Sequence, residues 1–201
     1  MYLTRAEVAF ASRLGADCLR DTQKIHAIVT GLTGGKQSDS HTVYRARVLQ
    51  NRIVIYCYSD NGAVNEVPFV NVTGNRDVTA WLESLTNGMT LGFNLVAAPS
   101  KKVKTDGKKN SQRRLLRNKD DRLDWLNRKA MQNGFKIIEV QEQKEVRSTI
   151  RHPASKGGMM HINAFEYQGT LTVTDEELFK KAIKTGIGSG KAYGFGMILI
   201  K

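Results

Sequence analysis

The sequence predicts an α+β protein made of two tandem ferredoxin-like (RRM-like) βαββαβ halves. Short runs rich in β-branched and aromatic residues alternate with stretches of helical period. The order strand, helix, strand, strand, helix occurs twice. The second occurrence closes on a glycine loop and a final apolar strand. The halves meet near Gly88, dividing the chain into 1–87 and 88–201.

Tyr2 to Phe10 alternates loosely and reads as the first strand. Asp17 to Leu32 carries Leu19, Ile25, Ile28, Val29 and Leu32 near helical spacing and stops at Gly34-Gly35. Val43 to Leu49 and Arg52 to Tyr58 form a hairpin about Gln50-Asn51, and Asp77 to Leu85 is a short helix. The first half is therefore expected to lack a fourth strand. In the second half, Met89 to Ala97 is a strand and Asp120 to Gln132 an amphipathic helix ending at Asn133-Gly134. Phe135 to Val140 and Ala164 to Val173 are strands. Thr174 is placed to cap a helix through Glu176, Glu177, Leu178 and Ile183. Phe195 to Ile200 ends the fold.

The 201 residues carry 31 Lys and Arg against 19 Asp and Glu, a formal charge of +12. That balance favours a polyanionic partner, most simply nucleic acid, although basic surfaces also bind acidic membranes. No apolar run is long enough to span a bilayer, and Arg5, Glu7 and Arg13 interrupt any signal-peptide core. Cys18 and Cys57 are too few for a disulfide framework or a structural zinc site. A reducing, cytoplasmic setting is expected. His26, His41, His152 and His161 show no ligand spacing, so neither a metal nor another cofactor is expected.

Five glycines punctuate Gly186 to Gly196, a pattern that lets backbone N–H groups approach a phosphate closely. The Walker pattern fails: Thr185 stands where its first Gly belongs, and Ala192 follows Lys191. The dinucleotide fingerprint fails because neither Gly186/Gly188 nor Gly188/Gly190 has Gly at the third following position. Both motifs also need a following helix, and here an apolar strand follows. A tight turn without a ligand is the competing reading. Upstream, 101–119 holds nine Lys and Arg against Asp106 alone, and by itself reads as a solvated loop. A second basic patch, Lys144, Arg147, Arg151, His152 and Lys156, reads as a flexible loop between strands. Tyr44, Tyr56 and Tyr58 read as packing residues as readily as a base-stacking platform.

The chain resembles the CasE family, CRISPR RNA-processing endoribonucleases of type I-E Cascade within the RAMP superfamily. The residues that carry the resemblance are Met1-Tyr2-Leu3-Thr4, Ser12-Arg13, the region around His26, Trp125 to Lys129, Gly169 to Val173 and Gly186 to Gly196. The glycine loop matches the family's spacing in full. Two departures stand out: Leu95-Val96-Ala97-Ala98-Pro99 replaces Leu-Arg-Ala-Asn-Pro, and Gln23 stands where some relatives have Tyr.

The resemblance implies that His26 is catalytic, with Gln23, Lys24 and Lys191 in support. A lone histidine on an apolar helix is otherwise usually a packing residue. Metal-free RNA cleavage needs a 2′-OH deprotonated, in-line attack on the adjacent phosphate and protonation of the leaving 5′-oxygen. A histidine, with an ordinary pKa near ~6.5, can serve either transfer. Expected products are a 2′,3′-cyclic phosphate and a 5′-OH. Arg13, Arg113, Arg114, Arg117, Arg147, Arg151, Lys156, Gly188, Gly190 and Gly194 are the expected RNA contacts. The expected partners are the CRISPR repeat hairpin, as precursor and mature crRNA, and other Cascade subunits. The competing readings are a non-catalytic RNA-binding module and a subunit that retains crRNA without cutting it.

Overall fold

The computed structural model of the chain describes residues 1–34, 42–103, 112–151 and 158–201. Two four-stranded antiparallel sheets organise it. The first holds β1 (Tyr2–Ala9), β2 (Thr42–Val48), β3 (Arg52–Ser59) and β4 (Val70–Asp77) in the order β2-β3-β1-β4. The second holds β5 (Thr90–Ala97), β8 (Phe135–Arg151), β9 (Met159–Val173) and β10 (Ile198–Ile200) in the order β10-β5-β9-β8. Numbered within its half, each sheet runs 2-3-1-4 or its reverse, so both have the ferredoxin-like strand order. Between β5 and α4 (Lys119–Gln132) a two-stranded ribbon projects, β6 (Ser100–Val103) paired with β7 (Gln112–Leu115).

Helical spacing explains how the layers close. α2 (Gln23–Leu32) buries Ile25, Ile28, Val29 and Leu32, an i, i+3, i+4, i+7 stripe, against Ala6 and Val8 of β1 and Ile53, Ile55 and Cys57 of β3. On the strands those residues alternate, as one buried face requires. In the second half Trp125, Leu126 and Ala130 of α4, with Phe179, Ala182 and Ile183 of α5 (Glu176–Thr185), cover Phe93, Leu95, Tyr167 and Leu171. Val43 and Tyr58 of the first sheet join this second core, so the halves are packed together. Among the described residues no helix is long and apolar enough to cross a membrane.

Several elements differ from expectation. The first helix is two, α1 (Arg13–Arg20) and α2, because Asp21 turns extended (φ −146°, ψ 104°) and Thr22 N–H bonds to the Thr149 carbonyl at 2.9 Å. The first half does have a fourth strand. β4 is an exposed edge of sequence VNVTGNRD, too polar to show alternation, and its pairing with β1 defines it. It precedes the short α3 (Thr79–Glu83), and no helix lies between β3 and β4. β8 and β9 continue as a long hairpin to Arg151 and Met159, so Lys144, Arg147 and Arg151 sit on a strand rather than a loop. The ends of the basic stretch 101–119 form the β6–β7 ribbon and the start of α4. Asp175, not Thr174, caps α5, accepting from Leu178 N–H at 3.0 Å.

Candidate functional site

His26 is positioned by what happens just before it. Ser12 caps α1, its Oγ accepting from Gly15 N–H at 3.0 Å. Asp21 Oδ1 accepts from Gln23 N–H at 3.0 Å and opens α2. His26 then falls half-buried on the second turn beside Ile25. Its Nδ1 is buried with no hydrogen-bond partner among the described residues, so no structural contact claims that nitrogen. Its ring stacks on Tyr44 of β2, centroids 6.1 Å apart at 27°.

Tyr44 joins His26 to the glycine loop. Its hydroxyl donates to the Ala192 carbonyl at 2.7 Å, and burial pushes its phenol well above the ordinary value, keeping it a donor. Ala192 lies in the one-turn 3-10 helix Lys191–Tyr193 between Gly190 and Gly194. All five loop glycines have positive φ. At Gly194 (φ 81°) a Cβ would stand 3.1 Å from the Tyr44 ring; at Gly188 it would stand 3.0 Å from Trp125. These two glycines are thus favoured by backbone conformation and sit in tight packing against the two rings.

Three adjoining cavities surround the loop. A narrow one of about 320 Å³ lies between Thr22 and Ile25, Tyr44, Arg147 and Gly194. A wide cleft of about 1250 Å³, sharing Arg147 and Tyr193 with it, brings together Arg113, Arg114, Arg117, Arg147, His161 and Gly190. Asp121 is the one carboxylate among its described lining residues. A third, of about 680 Å³, shares Lys101 and Arg113 with the cleft and adds Lys102, Arg128, Lys129, Lys191, Gly188 and Trp125. No acid lines it among the described residues.

Arg113, Arg114, Arg117, Arg147 and Gly190 therefore meet in one cleft. Lys191 faces the third cavity, where burial and then the neighbouring Lys129 lower its ammonium below the ordinary lysine value. Gln23 is half-buried and Lys24 exposed at the start of α2; Arg13 is exposed at the start of α1, and Arg151 at the end of β8. These four, like His26 itself, line none of the three cavities. Lys156 and His152, within 152–157, and the middle of the basic stretch, 104–111, lie outside the described residues. Sequence reasoning passed over Arg128, Lys129 and Tyr44 as site residues. Trp125, Arg128 and Lys129 at i, i+3 and i+4 share a helix face, a signal that was legible. Nothing local marks Tyr44, whose partners are distant in the chain.

Two buried ion pairs brace this surface. Arg45 of β2 donates to Glu166 of β9 at 2.6 Å, and Asn94 of β5 donates to the same carboxylate oxygen at 3.0 Å. Arg45 also donates to Asn94. Burial alone would raise the Glu166 carboxyl, yet the hydrogen bonds from Asn94 and Arg45 hold it below its ordinary value. Arg122 of α4 grips Glu142 through two bonds of 2.8 and 2.6 Å and lies over the Phe165 ring. No group of three or more His, Cys, Asp or Glu able to hold a metal occurs among the described residues.

The family described as CRISPR associated protein matches residues 1–201. A curated relative, the CRISPR-associated endoribonuclease Cse3 of Thermus thermophilus, is 28% identical over 126 residues. That alignment spans 58% of each protein, so the chain matches little more than half of the relative's length. A solved structure of CRISPR endoribonuclease Cse3 bound to a 19-nucleotide RNA superposes with TM-score 0.86 at 22% identity, covering all of both chains. A chain of a CRISPR RNA-guided surveillance complex superposes with TM-score 0.77 at 19% identity, covering 100% of this chain and 99% of that one. These likenesses bear out the tandem ferredoxin-like fold.

Proposed function

Because the chain belongs to the CRISPR-associated protein family over residues 1–201, as its CasE resemblance implied, we propose that it is a metal-independent CRISPR RNA-processing endoribonuclease. It cuts precursor RNA at the 3′ base of the repeat hairpin stem, and keeps the mature crRNA as a cytoplasmic Cascade subunit. The half 1–87 carries His26, and the half 88–201 carries the basic clefts and glycine loop. The relative named an endoribonuclease and the similar folds with bound RNA support this reading. So does the surveillance-complex likeness for the assembly.

One observation carries the chemistry: a half-buried imidazole stacked on Tyr44 and joined through it to a glycine loop that borders an arginine-lined cleft. His26 moves a proton from the ribose 2′-OH or to the leaving 5′-oxygen. Arg147 and the ribbon arginines hold the hairpin backbone; A-form RNA offers phosphates and shape more readily than base edges. Lys191 and Lys129 hold a backbone phosphate in their cavity, and Gln23 and Lys24, in the first turn of α2, support His26. Holding the in-line geometry contributes several kcal/mol of the barrier reduction.

The test is a synthetic repeat RNA from the source genome, incubated in EDTA. Cleavage to cyclic-phosphate and 5′-OH ends is expected, and a 2′-deoxy nucleotide before the scissile phosphate abolishes it. His26→Ala lowers the single-turnover rate by roughly 10²-fold or more with affinity little changed. Cutting of the deoxy substrate sinks the mechanism. A wild-type rate in His26→Ala removes His26 from it. Gln23, in place of the tyrosine of some relatives, favours a second reading in which the subunit retains crRNA without cutting; wild-type protein that binds the repeat and leaves it intact establishes that one.

A further inference from the structure

β8 is the edge strand of the second sheet, so its outward backbone groups are available to another element. The start of α2 takes them. Thr149 C=O accepts from Thr22 N–H at 2.9 Å and from the Thr22 hydroxyl at 2.9 Å. Two residues on, Arg151 N–H donates to Asp21 Oδ1 at 3.4 Å. The Thr22 hydroxyl, having spent its proton on Thr149, accepts from Ser148 O–H at 2.6 Å; Ser148 is 3% exposed. On its other side, Thr22 C=O accepts from Ile25 N–H at 3.1 Å and from His26 N–H at 3.4 Å. Ser148 and Thr149 are themselves bracketed by exposed Arg147 and Arg151.

We infer that Thr22 is a positioning residue coupling the seating of RNA phosphates on β8 to the placement of His26. The Thr22 side chain makes no capping bond to α2; its hydroxyl bonds β8 instead. Fixing β8 through Arg147 and Arg151 fixes Thr149 O, hence Thr22, hence the turn from which His26 projects. The inference rests on His26 as the proton-transfer group.

The experiment compares wild type, Thr22→Val, Thr22→Ser, Ser148→Ala and His26→Ala, with and without Thr22→Val, on the synthetic repeat RNA. Thr22→Val keeps shape and backbone N–H and loses the hydroxyl. Its single-turnover rate is expected to fall about tenfold, the scale of a sub-ångström misplacement, with Kd within about twofold of wild type. Thr22→Ser restores the rate, Ser148→Ala gives a smaller loss of the same kind, and Thr22→Val costs nothing further in His26→Ala. A wild-type rate in folded Thr22→Val overturns the coupling. So does an equal loss in the His26→Ala background, or an affinity loss matching the rate loss. Should Thr22→Val fail to melt cooperatively, a wild-type rate in Ser148→Ala overturns it instead. Full activity of His26→Ala is a different result: it refutes the His26 assignment whatever Thr22→Val does.

Discussion

Gly194 shows how one residue serves packing and site together. Its φ of 81° strains any side chain, and a Cβ there would stand 3.1 Å from the Tyr44 ring, which would have to shift to admit it. Gly194→Val is expected to cost about 2 kcal/mol through backbone strain, seen as a Tm lower by roughly 4–8 °C in a chain of this size. It also moves Tyr44 off His26, so cleavage by the protein that remains folded falls too. Lys191→Ala is milder. It removes an ammonium whose charged form is disfavoured by burial and by Lys129, so Tm holds or rises while RNA affinity drops. Melting curves beside a cleavage assay separate the two, and wild-type activity in folded Gly194→Val refutes the Tyr44 connection. His26 stood out in the sequence only as what the family resemblance implied; its link to the loop was not legible there, because Tyr44 and Ala192 lie far apart in the chain.

At the scale of elements, the β8–β9 hairpin is the longest strand pair among the described residues. Beyond Gln141 the residues of β8 are mostly polar, which hid that part of the strand from alternation rules. Arg147 and Arg151 both lie exposed there and make no ion pair among the described residues. Reversing both to Glu is expected to weaken repeat binding and flatten its salt dependence, since fewer counterions are released on binding. Binding titrations from 50 to 200 mM salt (the range over which phosphate contacts show ~10³-fold effects or more) check it. If Arg113 and Arg114 reversal alone has this effect, the RNA backbone follows the β6–β7 ribbon.

Across the whole molecule, Arg45–Glu166 with Asn94 ties the first sheet to the second. Arg45 is 3% and Glu166 6% exposed, so removing Arg45 leaves a buried carboxylate with only Asn94 and the more distant Lys144, at 3.8 Å, as partners. Arg45→Met is expected to cost about 3–5 kcal/mol. The pH dependence follows from the depressed Glu166 carboxyl. A folded value below the unfolded one, ordinarily near ~4.3, gives stability that is full above that value and lost as pH falls through the folded one. Wild-type Tm is therefore flat near neutrality and declines in acid. In Arg45→Met the deficit shrinks in acid, where Glu166 protonates and the buried charge disappears. Melting curves from pH 7 to pH 3 (spanning the ordinary carboxylate range) decide it; a deficit that stays constant with pH removes the ion pair as its cause.

By itself the sequence determined what depends on neighbours a few residues apart. The apolar stripes of α2, α4 and α5, the glycine loop, the basic charge and the doubled strand–helix order are of this kind. Only the tertiary structure decided what rests on partners far along the chain. β4 is a strand because β1 pairs with it, and the first helix breaks at Asp21–Thr22 because Thr149 takes the Thr22 N–H. The patch Lys144 to Arg151 is a strand because it pairs with β9, and Tyr44 meets His26 because α2 packs on the first sheet. Periodicity records which side of an element is buried; it carries no record of which distant backbone group completes a hydrogen bond, and in this protein those bonds set the place of His26.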